Sequence, residues 1–85
     1  MKVKFEATGD ILFAYLDGEI DHHAAKNIRE NIDGMIERSR PHKVVLDFKS
    51  VPFSDSSGIA VVLGRYKAMQ AIGGTLEVQR LVKIS

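Results

Sequence analysis

The spacing of apolar residues changes period along this chain, and that change restricts the fold more than any other feature. Val3, Phe5 and Ala7 alternate with Lys2, Lys4 and Glu6, the period of a strand with one buried face. Gly9-Asp10 separates this run from the apolar residues 11–16. Glycine in the first place of a two-residue loop suits a type II′ hairpin. Asp17-Gly18-Glu19 ends the second strand. From Asp21 the period lengthens: Ala25, Ile28, Ile32, Met35 and Ile36 recur three or four apart, with Lys26, Arg29, Glu30, Asp33 and Glu37 between them. That is an amphipathic helix of about four turns. Asp21 suits its N-cap, and Pro41 closes the segment.

The period shortens again at Val44-Val45-Leu46-Asp47-Phe48, a nearly continuous apolar run that predicts a central strand covered on both faces. Residues 52–58 form a tight loop rich in Ser, Asp and Gly. Ile59, Val62, Leu63, Tyr66 and Met69 then repeat at helical spacing, predicting a buried face with Arg65, Lys67 and Gln70 on the wet side. Gly73-Gly74 supplies a C-cap, and Thr75-Leu76-Glu77-Val78-Gln79 alternates as a last strand. Hairpin, helix, strand, helix, strand is the order. Strand–helix–strand units of this length make parallel neighbours with right-handed crossovers. The expected fold is α/β: a mixed sheet, an N-terminal hairpin followed by a parallel βαβαβ run, packed by helices in one domain over residues 1–85.

Composition removes several functions. The chain has no Cys, which excludes disulfides, thiolate metal sites and thiol nucleophiles. Twelve basic residues against eleven acidic ones leave a formal charge of +1, and the two signs are interleaved. A DNA or RNA binder would concentrate Lys and Arg on one face, so no direct nucleic-acid partner is expected. The start lacks the apolar stretch of a signal peptide, and no segment reaches the ~20 apolar residues of a membrane span. The expectation is a cytoplasmic protein with no membrane contact.

Topology brings two distant turns together. Asp21-His22-His23 follows the second strand and opens the first helix, while Asp55-Ser56-Ser57-Gly58 follows the third strand and opens the second. Both therefore lie at the carboxyl ends of parallel strands, where α/β sheets present ligand sites. Both also carry helix N-termini, whose free N–H groups suit a phosphate. Each piece has a plainer explanation, because Asp and Ser ahead of a helix are ordinary caps. Adjacent histidines do not match the i, i+4 spacing of helical metal ligands, so no metal or cofactor is expected. Between Gly58 and Gly64 stand five residues, and no Lys follows, which fails as a phosphate loop. Ser56 has no His or Lys base at a recognisable spacing, so an enzyme is not expected.

At these residues the sequence resembles a known family. Leu16-Asp17-Gly18-Glu19-Ile20-Asp21-His22-His23 is similar to the "L-x-G-E-L-D-H-H" segment of anti-sigma-factor antagonists, and Phe53-Ser54-Asp55-Ser56-Ser57-Gly58-Ile59-Ala60-Val61-Val62-Leu63-Gly64-Arg65-Tyr66-Lys67 to their "F-M-D-S-S-G-L-G-V-I-L-G-R-Y-K". Ile72-Gly73-Gly74 matches in place. The domain class is STAS, and the likeness is greatest to sporulation-type members. It implies that the unphosphorylated chain binds an anti-sigma factor that is also an ATP-dependent serine kinase, freeing a sigma factor. It also implies phosphorylation on Ser56 that ends binding, and a partner-binding set of Asp21, His22, His23, Asp55, Ser56, Ser57, Gly58 and Arg65. The alternatives are a STAS scaffold or a nucleotide-binding module with no sigma-factor role. Two departures stand out: Ser54 replaces Met at what is expected to be the rim of the switch, and Ala60 replaces Gly. Family members continue past Leu81-Val82-Lys83-Ile84-Ser85 with more helix and strand. A C-terminally short domain is therefore expected, with a sheet edge left open or covered by self-association.

Overall fold

The computed structural model describes residues 1–81. Its elements are β1 (Lys2–Thr8), β2 (Ile11–Asp17), α1 (His22–Ser39), β3 (Lys43–Ser50), α2 (Ser57–Ala71) and β4 (Thr75–Gln79). The four strands form one sheet in the order β1-β2-β3-β4. β1 and β2 are antiparallel, with Thr8 opposite Ile11 across the two-residue turn. Gly9 has φ 60° while Asp10 does not enter positive φ, as a type II′ turn requires. β3 runs parallel to both β2 and β4. Strand order follows chain order, so both right-handed crossovers place their helices on the same face.

That face holds the core. Leu12, Ala14 and Leu16 of β2 and Val44, Leu46 and Phe48 of β3 are buried against Ala25, Ile28, Ile32 and Ile36 of α1 and Val61 and Met69 of α2. The opposite face carries no helix among the described residues, so β3 is not sandwiched between layers as its apolar run suggests. Val45 and Asp47 are nevertheless buried there. Val45 lies in register with Phe13, and Asp47 with Tyr15; the two rings stack with centroids 6.1 Å apart. Large cross-strand neighbours close over the short side chains between them. Asp47 accepts a hydrogen bond from the Lys49 N–H at 2.8 Å and pairs with Arg80. Burial pushes its carboxyl up, but that N–H and Arg80 outweigh it and hold the group below its ordinary value.

Helix α2 is rotated relative to the expectation from sequence. Gly58, Val61, Arg65 and Met69 are its buried residues, while Ile59, Leu63 and Tyr66 are among the most exposed large apolar side chains. Two apolar stripes share this helix, and Gly58 decides between them. A Cβ there would run into the Ser54 Oγ, so the glycine lets the helix N-terminus settle onto a fully buried Ser54. Ser54 thus lies beneath the turn and not at its rim. β4 pairs with β3 alone, which leaves an open edge among the described residues. The expected short C-terminus lies, beyond Leu81, outside them.

Candidate functional site

Backbone hydrogen bonds stitch the two turns together. After β2 the chain passes Gly18, whose N–H donates to the Ser50 carbonyl at 3.1 Å, and then Ile20, whose N–H donates to the Phe53 carbonyl at 3.0 Å. The Asp55 N–H donates back to the Ile20 carbonyl at 3.0 Å. Ile20 and Ser54 thereby extend the parallel pairing by one isolated bridge, and the fully buried Ile20 side chain anchors it. The shared edge expected from topology is therefore a direct contact.

Each helix is capped by an aspartate. Asp21 accepts from the Ala24 N–H at 2.8 Å. That bond is the main reason its carboxyl lies below the usual range; slight burial opposes it and His23 reinforces it. Asp55 Oδ1 accepts from the Ser57 N–H at 2.8 Å, and the Asp55 carbonyl accepts from the Gly58 N–H at 3.1 Å. Asp55 thus does the work of a cap, and Ser56 is spared it. Ser56 has helical backbone angles, φ −62° and ψ −14°, and its side chain makes no capping bond. Its hydroxyl is exposed at the start of a 15-residue helix. Ser57 is half-buried, and His22 and His23 are exposed.

Two surfaces meet at Ser56. Residues three and four apart are neighbours on a helix. Ile59 and Ala60 therefore both stand one turn above Ser56. From Ile59 the exposed apolar stripe continues through Leu63 and Tyr66, with exposed Phe53 on the preceding loop. From Ala60 the surface descends into a groove of about 190 Å³ between α1 and α2, lined also by His22, Lys26, Arg29 and Ser57. Arg65 reaches this groove from below. It is not on the wet side and not a free contact residue: it is 5% exposed, with Nε 2.8 Å from Asp33 Oδ1. Burial lowers its pKa and Asp33 opposes that, while Arg29 adds repulsion. An arginine at a helix–helix seam keeps its aliphatic stem in the core and its guanidinium paired. The apolar spacing of α2 obscured this, because the sequence offers no partner for Arg65 until α1 is packed beside it. No group of His, Asp or Glu among the described residues is placed to hold a metal.

Residues 2–82 match the STAS domain model. The chain belongs to the STAS domain family. It is 37% identical over 78 residues to the anti-sigma F factor antagonist of Paenibacillus polymyxa, covering 92% of this chain and 67% of that one. It is 34% identical over 67 residues to the anti-sigma F factor antagonist of Lysinibacillus sphaericus, covering 79% of this chain and 57% of that one. This STAS chain therefore spans about two thirds or less of the length of these relatives. Its fold superimposes on the anti-sigma factor antagonist SpoIIAA in its unphosphorylated form with a TM-score of 0.80 at 30% identity, covering 96% of this chain and 76% of that one. The α/β expectation and the family resemblance both hold.

Proposed function

We propose that this STAS chain is an anti-sigma factor antagonist whose binding is switched off by phosphorylation of Ser56. Its unphosphorylated form binds an anti-sigma factor that is also an ATP-dependent serine kinase, and so releases a sigma factor, in the cytoplasm where sigma factors act. The chain is a regulator and not an enzyme. One observation carries the reading: the Ser56 hydroxyl is left free by Asp55 at the foot of an exposed apolar stripe. Capping alone needs no such stripe. Contiguous apolar surface on a small domain marks a contact, and aromatic residues such as Phe53 and Tyr66 are the usual anchors of one.

The switch follows from electrostatics. A phosphoserine carries a charge of roughly −1.5 to −2. On Ser56 it stands at the positive end of α2, which suits it, and inside the contact with the partner, which does not. Desolvating the dianion beside Asp21 and Asp55 costs affinity, and ~1.4 kcal/mol is already tenfold. The test is the binding of three chains to the kinase. Ser56→Ala keeps affinity and resists release by ATP, whereas Ser56→Asp binds poorly. Equal affinity of both variants and the unsubstituted chain overturns the reading, as does mass mapping that puts the phosphate on Ser57.

A further inference from the structure

A dianion on Ser56 creates a charge problem in the fold itself. It joins Asp55, whose N–H bonds the Ile20 carbonyl, and Asp21, which follows Ile20 in the chain, so three anionic groups share one sheet edge. The groove beside it is lined by charge of the other sign. Lys26 and Arg29 are exposed on α1, one turn and two turns after His22, and no carboxylate lines the groove. Asp33 lies deeper and is engaged by Arg65. The groove's volume of about 190 Å³ is below the roughly 300–1,000 Å³ of sites for drug-sized ligands, and fits a single anionic group.

Ser56 itself does not line the groove, but its neighbours do. Ser57 lines the groove, and consecutive Cα atoms are only ~3.8 Å apart. Ala60, one turn above Ser56, lines it as well. Long, unanchored lysine and arginine side chains span the remainder. We propose that the α1–α2 groove is a phosphate-binding site whose occupant is the phosphate on Ser56, held in cis by Lys26 and Arg29. The proposal rests on the reading of Ser56 as phosphoacceptor. It makes the off state an ordered one: the phosphate accepts charge-assisted hydrogen bonds from α1, offsets its repulsion from Asp21 and Asp55, and closes the groove next to the apolar stripe.

The experiment is a ³¹P NMR pH titration of the full chain with phosphoserine installed at position 56. Free phosphoserine loses its second proton near pH ~6, and adjacent cations lower that value. Replacing the two exposed groove cations, Lys26→Gln with Arg29→Gln, while the buried Arg65 stays paired with Asp33, is expected to raise the phosphate's apparent pKa by roughly one unit. Lys67→Gln, away from the groove, is expected to leave it unchanged. Both substituted cations are exposed, and an unaltered thermal midpoint of the unphosphorylated variant verifies its fold. An unchanged titration in the double variant overturns the proposal. If inorganic phosphate then shifts the Lys26 and Arg29 amides of the unmodified chain, the groove takes a free anion instead. No partner enters this measurement, so its failure leaves the antagonist reading standing, while that reading falls on the separate binding comparison at Ser56.

Discussion

Three residues of the second turn divide its tasks by geometry. Asp55 takes the capping bond to Ser57, Ser56 keeps a free hydroxyl, and Gly58 makes room for the Ser54 side chain. The glycine requirement is steric and local. Gly58→Ala is expected to destabilise the chain by about 1–3 kcal/mol, the usual cost of overpacking a closed site, seen as a lower urea midpoint. Ser54→Gly in the same chain should recover part of that loss, since the two positions are in contact and their effects are not additive. A midpoint unchanged in Gly58→Ala would mean that the turn is not closed over Ser54. The proposed acceptor position is legible in sequence because the family segment it resembles is long; the role of Ser54 is not. A serine in a polar loop reads as exposed until the helix is seen lying on it.

At the scale of elements, α1 behaves as its periodicity demands and α2 does not. In α1 a single apolar face is buried, and Asp21 opens the helix as the cap. In α2 one face meets the core through Val61 and Met69, and the other presents Ile59, Leu63 and Tyr66 to solvent. An exposed leucine contributes little to folding, so the proposed contact and stability can be tested separately here. Leu63→Asp is expected to leave the thermal midpoint within a degree or two, since surface changes of this kind stay within about 0.5 kcal/mol. It should weaken binding to the proposed anti-sigma factor partner at least ~10-fold, or ~1.4 kcal/mol, in a titration calorimetry comparison. Undiminished binding would remove the stripe from the contact. The seam between the helices has a different logic. Arg65 is tolerated in the core because Asp33 reaches it from the half-exposed side of α1, a pairing across 32 positions that local spacing does not announce.

At the scale of the whole molecule, the described residues place both helices on one face of the sheet, and the far face is closed by the Phe13–Tyr15 stack and by polar pairs. Lys43 pairs with Glu77 at 2.7 Å, and Asp47 pairs with Arg80. These contacts give stability a pH dependence with a definite sign. Asp21, Asp47 and Glu77 are all held below their ordinary values of 3.8, 3.8 and 4.5. The unfolded chain therefore binds more protons than the folded one in this range, and stability rises with pH. The contribution is fully present above the ordinary carboxylate values and is lost as pH falls through the lower folded ones. Thermal midpoints should hold near pH ~6 and decline from about pH 4 toward pH 2. Asp47→Asn should flatten that decline, because Asp47 is the buried member of the three. A midpoint that stays level down to pH ~2 would show that these groups contribute nothing.

By itself the sequence determined the order and kind of the elements, the hairpin turn and the Asp21 cap of the first helix. Those properties are written in short windows: period, capping side chains and the demand for positive φ at Gly9. Parallel strands joined by right-handed crossovers then bring the two turns to a shared edge. The contact across that edge, through Ile20, Phe53 and Asp55, belongs to the tertiary structure. So do the burial of Arg65 and Ser54 and the choice of which α2 stripe faces water. Each of those depends on what a side chain meets from a distant part of the chain. A helix with two apolar stripes can bury only the one whose small residue lets it approach, and that is decided when Gly58 comes down on Ser54.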